Sequence, residues 1–283
     1  MNRFFKDVFM IEKILAALLE RGITLAAPIS LKNCILTRPY KLSRAGFDAE
    51  GELTAIIFAI PYLTPHKERN LSAYAVCRDY HGYFSELFSS LIPALSELYP
   101  ENRFCGFADD SPIDERHAAA SAGLGIIGDN GLLITEKYSS YVFLGEIITD
   151  IPTDISPKPI ERCHGCGECK RVCPAKTGQC LSALTQKKGE LTADEKRAIA
   201  EGSSVWGCDL CQEVCLYTRQ ATEKQTIYTN IDYFKSELLP VLTSHALDSM
   251  SDTDFSRRAY SWRGRNVIGR NLKIFENSTK SEN

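Results

Sequence analysis

Eight of the eleven cysteines in this chain fall between Cys163 and Cys215, and that crowding limits what the sequence can be. An odd total rules out complete disulfide pairing. A chain of 283 residues also buries a core without covalent staples. Crowded thiols in such a chain point to metal.

The spacing narrows the metal. The block opens with Cys163-x2-Cys166-x2-Cys169-x3-Cys173-Pro174, the run in which bacterial ferredoxins hold a [4Fe–4S] cube. Three cysteines on a tight loop grip three irons of one cube, and the fourth, followed by Pro, serves a second cube. A second set is present: Cys208-x2-Cys211-x3-Cys215 repeats the last three positions, and Cys180 stands upstream as the displaced first member. Crossing the fourth ligands gives Cys163, Cys166, Cys169 and Cys215 for one cluster and Cys173, Cys180, Cys208 and Cys211 for the other. Zinc prefers two separated pairs per ion, which the overlapping triple does not offer. Cys34, Cys77 and Cys105 lack such spacing and read as buried structural thiols.

At roughly 150 residues per domain the length corresponds to about two domains. The composition, 44% apolar and 24% charged, is ordinary for a globular protein. A net charge of −3 excludes a polycation that coats nucleic acid, so any such contact needs a local patch. Lys6, Asp7, Glu12 and Lys13 interrupt the apolar start, which argues against a secretory leader. Phe4, Val8, Ile11, Leu15 and Leu18 share one helical face instead. A reduced, cytoplasmic protein away from membranes is expected.

The pattern predicts a buried strand from Leu53 and a helix from Asp79 to about Leu98 that Pro93 kinks or interrupts. A strand from Arg103 then runs into Asp109 and Asp110, and a short helix covers residues 113–122. Next come the glycine-rich AGLGIIGDNG and two strands, GLLIT and YVFLGEII, joined by EKYSS as a candidate hairpin. Three prolines in residues 150–162 mark a boundary. Thr192 and Glu195 form a capping-box pattern, and the final ENSTKSEN is expected to fray. The expected fold class is a mixed α/β (α+β) domain over residues 1–155, a double [4Fe–4S] ferredoxin-like domain over 156–223, and a short helical, basic tail over 224–283.

Several segments in order resemble the epoxyqueuosine reductase family, the cobalamin-dependent iron–sulfur enzymes of tRNA queuosine biosynthesis. LSAYAVCRDYH at 71–81 resembles the family's YA-x-x-RDYH motif, and ADDSPIDER at 108–116 its VDSxPVLER motif. AGLGIIGDNGLLI resembles AGLGWIGKNxLLI, YVFLGEIITD resembles WVFLGEIxTD, and WGCDLCQEVC matches the second cluster half. Arg270 and Asn271 resemble a family pair. The match is good over roughly residues 54–216 and loose in the tail.

The resemblance implies reduction of the epoxide of epoxyqueuosine in tRNA to the alkene, with electrons passing through the clusters to a cobalamin between the two domains. It implies Asp109 as general acid, and a low-potential donor such as ferredoxin or flavodoxin. The candidate cobalamin pocket is Arg78, Tyr80, His81, Gly123, Gly125 and Gly128. Arg257, Arg258, Arg263, Arg265, Arg270 and Lys273, interleaved with Tyr260 and Trp262, are candidate RNA contacts. Each also has a plainer reading: Asp109 and Asp110 as helix caps, Glu115 and Arg116 as a salt bridge, the arginines as a packed basic helix. Asp129 stands where the family has a cation, and Ile126 where it has a tryptophan. The chain stops soon after Asn271, where longer members continue into a helical-repeat region that helps hold tRNA. Two other functions fit the clusters: a cobalamin-dependent reductase of a small molecule, related to reductive dehalogenases, or a ferredoxin-like electron carrier without a corrinoid.

Overall fold

The computed structural model describes residues 3–66, 68–174, 179–202 and 204–280, with side chains from residue 6 to residue 278 of these. The chain forms two compact units, Met1–Pro61 with Tyr83–Gly165, and Tyr62–Gly82 with Cys166–Asn283. It therefore crosses between units at 61/62 and 82/83, where the sequence reading has no boundary. Residues 166–283 make one unit, without a division at 223.

The first unit is built on a four-stranded antiparallel sheet, in the order β1 (Leu25–Ser30), β2 (Thr54–Pro61), β6 (Val142–Thr149), β3 (Phe104–Phe107). β2 is the unbroken apolar run from Leu53, and all eight of its residues are buried. One face packs Ile57 and Ile148 against Ala118 and Ala119 of the helix Glu115–Ser121. On the other face Phe58 meets Phe84 and Phe88, with ring centroids 6.1 and 6.3 Å away. Gly145 allows this, because a Cβ there would stand 2.4 Å from Phe84. β1 carries Pro28, which a sheet tolerates at an edge, and β1 is an edge strand.

Several expectations are corrected. The opening helix, Arg3–Glu20, buries Met10, Ile11, Ile14 and Leu18, while Val8 is exposed; the Phe4 side chain lies outside the described residues. Pro93 sits inside an uninterrupted helix, Tyr80–Leu98. GLLIT and YVFLGEII are not a hairpin. β5 (Leu133–Ile134) pairs with β4 (Ile126–Ile127), and β6 joins the main sheet. Residues 150–160 are irregular yet lie on this unit, tied by the Lys158 amide to the Ser121 carbonyl at 2.7 Å.

In the second unit Leu71, Ala75 and Val76 enter a core with Trp206, Leu242, Tyr260, Ile268 and Leu272. The link is also polar: Ser72 N–H bonds the Trp206 carbonyl, and Val205 N–H bonds the Asn70 carbonyl. The Asn70 side chain clamps both backbone groups of Leu242. The capping box forms as read, with Thr192 and Glu195 bonding each other's backbone amides before the helix Ala193–Glu201. The last helix, Arg265–Lys280, is held at Glu276, which accepts the Ser244 amide and hydroxyl at 2.8 Å each. It does not fray there, and residues 281–283 lie outside the described ones.

Candidate functional site

Asp109 lies on the loop between β3 and the helix Glu115–Ser121, and its backbone is left-handed (φ 63°). A non-glycine residue in that region is uncommon and points to a constraint imposed from outside. The constraint is visible: the Asp109 N–H donates to Glu115 Oε1 at 2.9 Å. Neither Asp109 nor Asp110 caps the helix. Asp114 does, accepting the His117 amide at 3.1 Å. Asp110 is engaged by Lys41 and, at 3.4 Å, by Arg38, and these cations hold its carboxyl below the usual range. The loop is pinned further by the Thr37 and Arg38 amides on the Pro112 carbonyl. The Asp109 side chain remains exposed.

Glu115 does not pair with Arg116 as read; Arg116 turns to the Gly131 carbonyl at 2.8 Å. Glu115 meets Glu146 of β6, a fully buried carboxylate that also accepts the Ser111 hydroxyl. Burial raises the Glu115 carboxyl to about 7, and Glu146 is pushed up strongly, first by burial and then by Glu115. Glu146 was missed in the sequence; its signal is a single acid inside an otherwise apolar strand.

The cysteines of the block are all free thiols; Cys166 and Cys180 are exposed and the other six half-buried. Gly165 and Gly167, both left-handed, bend the chain between Cys163 and Cys169. The Asp129 backbone N–H donates to Cys163 Sγ at 3.3 Å, the kind of bond that steadies a metal-bound thiolate. Cys208 feels the charges of Cys211 and Cys180, and burial pushes its thiol up to about 12. Such a thiol ionises at neutral pH only with a cationic metal beside it. Among the described residues no three His, Cys, Asp or Glu side chains gather tightly enough for a single metal ion. A cube spreads its thiolates over four irons. Residues 175–178, which follow Pro174, lie outside the described ones.

The loop between Cys208 and Cys211 is anchored by Asp209, whose side chain is 3% exposed. It accepts Ser72 Oγ and the Ala73 amide at 2.6 Å each, Gln212 Nε2 at 3.0 Å and Arg69 at 3.1 Å. Gly207 is required because a Cβ would stand 2.5 Å from the Ser72 side chain and 2.7 Å from Tyr74. The matched segment at 71–81 thus braces the second cysteine set. Cys34 and Cys77 are pushed up to about 12 by burial, and Cys105 rises for the same reason, as structural thiols should.

At the three glycines read for a corrinoid pocket, the side a Cβ would take faces protein atoms. A Cβ at Gly123 would strike Lys158, at Gly125 the Ile134 carbonyl, and at Gly128 the Asn130 side chain, each at 2.3–2.5 Å. Arg78 lies over the Tyr233 ring at 3.9 Å, Tyr80 stacks on His81, and His81 Nδ1 is 2.8 Å from Asp79. The glycines belong to the first unit, and Arg78, Tyr80 and His81 to the second.

The basic segment divides similarly. Arg265 bonds the Leu247 and Met250 carbonyls, Arg270 those of Lys187 and Gly189, and Arg258 that of Glu237. Asn271, fully buried, staples the Thr185 and Val205 carbonyls. Tyr260 is buried in the core. Arg257 lies 3.7 Å from Glu237 and is half-exposed, Lys273 is exposed, and Trp262, 58% exposed, carries the Arg263 guanidinium at 3.8 Å.

This is a mixed α/β protein with a braced double cysteine set and an acid held on a strained loop. It is 34% identical over 209 residues to the epoxyqueuosine reductase of Listeria monocytogenes, covering 69% of this chain and 54% of that one. It is 31% identical over 224 residues to that of Gloeobacter violaceus, covering 73% and 69%. The structure of an epoxyqueuosine reductase with an epoxyqueuosine-modified tRNA-Tyr stem loop has the same fold, with a TM-score of 0.75 at 23% identity, over 97% of this chain and 82% of that one. No protein-family profile matches the chain. The chain belongs to the epoxyqueuosine reductase family. It spans about half the length of several curated relatives it matches. Among the described residues no helix is long and apolar enough to cross a membrane.

Proposed function

We propose that this protein reduces the epoxide of epoxyqueuosine in a tRNA anticodon loop to the alkene, in the cytoplasm, drawing electrons from a low-potential donor such as ferredoxin or flavodoxin. The reaction consumes two electrons and two protons, and the epoxide oxygen leaves as water. The family relatives and the tRNA stem loop bound by one of them support this substrate.

Cys163, Cys166, Cys169 and Cys215 would hold one [4Fe–4S] cluster, and Cys173, Cys180, Cys208 and Cys211 the other, in a ferredoxin-like arrangement. Such clusters supply single electrons in sequence. Asp209 fixes the loop bearing Cys208 and Cys211, and the Asp129 amide steadies the Cys163 sulfur.

The observation that carries the reading is the presentation of Asp109. An epoxide oxygen leaves poorly unless protonated, and a carboxylic acid is a suitable donor. Asp109 is exposed, and its left-handed backbone is held by the Glu115 carboxyl through its amide. The family resemblance also implies a cobalamin, which when bound would supply one-electron and carbon-directed cobalt chemistry. Arg78, Tyr80, His81, Gly123, Gly125 and Gly128 are the residues that would line its pocket, and the role of Asp109 is argued separately from it.

The test is tRNA from a strain deleted for this gene and for any second reductase of the same kind. Epoxyqueuosine should accumulate in place of queuosine, and the cloned gene should restore queuosine. Full queuosine in the deletion strain would overturn the proposal.

A further inference from the structure

The loop that presents Asp109 rests on two carboxyl groups, neither of which forms an ion pair among the described residues. Glu146 lies in the middle of β6, opposite Ile57 on β2 and Phe107 on β3, and is fully buried. Its Oε1 accepts the Ser111 hydroxyl, and that hydroxyl oxygen accepts the Ile113 amide at 3.1 Å. Its Oε2 is also buried, and no N–H or O–H reaches it. The group beside it is the carboxyl of Glu115, the first residue of its helix. The Oε1 of Glu115 holds the Asp109 amide.

Among the described residues neither carboxyl forms an ion pair. The charges that bear most on the pair are Asp109, Asp114 and the two carboxyls themselves, all negative. Cys34 and Cys105 also feel Glu146, and both are held as neutral thiols by burial. Lys41 and Arg38, from residues 38–41, pair with Asp110 of this loop. Two adjacent buried carboxylates cannot both stay ionised; a single proton turns their repulsion into a hydrogen bond. That proton also satisfies the orphaned Glu146 Oε2.

We propose that Glu115 and Glu146 form a one-proton latch that holds the Asp109 loop in its left-handed, acid-presenting conformation. The latch deepens the reading of Asp109 as the acid and rests on it for its catalytic meaning. Glu115 and Glu146 are positioning residues. With the proton in place, Glu115 stays against Glu146 and its Oε1 keeps the Asp109 amide. When the proton leaves, Glu115, the less buried of the two, moves out and the amide is released. Asp109 then returns to an extended backbone, as an L-residue without its tether should.

The experiment is hydrogen exchange of peptides spanning residues 104–114, followed by mass spectrometry on the full, cluster-loaded chain at pH 6 and pH 9, with rates corrected for intrinsic exchange. Protection of the loop in the native protein should fall at least tenfold between the two. Glu146→Gln keeps an acceptor for Ser111 and gives Glu115 a permanent N–H donor, so its loop should stay protected at both. Glu115→Ala should be unprotected at both. Equal protection of the native loop at the two pH values overturns the latch, as does an equal loss in Glu146→Gln. If Glu146→Gln does not fold, the two native arms still decide. Turnover of an epoxyqueuosine stem loop is a separate arm: it should fall toward pH 9 in the native protein and fall less in Glu146→Gln. No turnover in any sample defeats the proposed function, while the exchange data still judge the latch.

Discussion

The hydroxyl of Ser72 donates to Asp209 Oδ1 at 2.6 Å, joining the matched segment at 71–81 to the loop between Cys208 and Cys211. The same carboxylate takes the Ala73 amide and Arg69. Asp209→Ala leaves a buried amide, a hydroxyl and part of a guanidinium unsatisfied. Breaking such a buried charged set costs about 3 kcal/mol. Denaturant unfolding should show that loss, and Ser72→Ala a smaller one near 1 kcal/mol. Unchanged stability in Asp209→Ala would mean that the network is ornamental.

Iron content tests the ligand sets. Two cubes hold about eight irons per chain. Cys180→Ala should bring anaerobically reconstituted protein to about four, with the loss of one cluster's electron paramagnetic resonance signal. Cys77→Ala, which removes a buried thiol outside the sets, should leave the iron unchanged. Full iron in Cys180→Ala would transfer the ligand role elsewhere.

Asp109→Asn should keep both clusters and the fold, because the side chain is exposed and the backbone tether to Glu115 is untouched. Turnover of the modified stem loop should fall by roughly 100- to 10,000-fold, the usual worth of a positioned acid. Asp110→Asn loses only ion pairs and should cost far less. Equal losses in the two would remove Asp109 from the proton-transfer step.

The carboxyl pair has a pH signature in stability. Glu115 is raised from its ordinary value of 4.5 to about 7 in the fold, so between those pH values the native state binds a proton that the unfolded chain has released. Stability must therefore fall as pH rises through that window. Glu213, raised by burial, adds to the fall, whereas the carboxyls held below their ordinary values, Asp110, Glu168, Glu195 and Asp232, act at lower pH. Glu146→Gln should flatten the decline in denaturant midpoint between pH 5 and pH 8. A native midpoint that rises across the window contradicts the pair.

The cysteine spacing was legible because it is written in sequence order, and the ligand sets drawn from it stand as a proposal. β2 and the helix near residue 115 were legible because apolar period reports burial. The partners of β5 and β6 were not, since pairing is decided by the whole sheet and not by the turn between them. Glu146 and Asp209 were hidden for a related reason. Their neighbours, Glu115 and Ser72, are distant in the chain, and a buried acid carries no local mark of its partner. Arg265 and Arg270 looked like RNA contacts because charge is visible in sequence, whereas the backbone carbonyls that consume it are not.

That last distinction separates two kinds of basic residue by experiment. Arg270 donates to the Lys187 carbonyl at 2.9 Å and the Gly189 carbonyl at 2.6 Å, so Arg270→Ala strips bonds from the turn before Thr192 and should lower stability by about 1–2 kcal/mol. Trp262 is instead exposed, with the half-buried Arg263 guanidinium over one face of its ring. Unpaired bases stack on such faces for roughly 1–3 kcal/mol each. Trp262→Ala should leave the unfolding midpoint in place and weaken binding of an anticodon stem loop about tenfold, measured by fluorescence anisotropy at fixed salt. Lys273→Ala, if Lys273 meets phosphate, should weaken binding less and reduce its salt dependence. Native affinity in Trp262→Ala would show that the stack faces solvent and that the stem loop is held elsewhere.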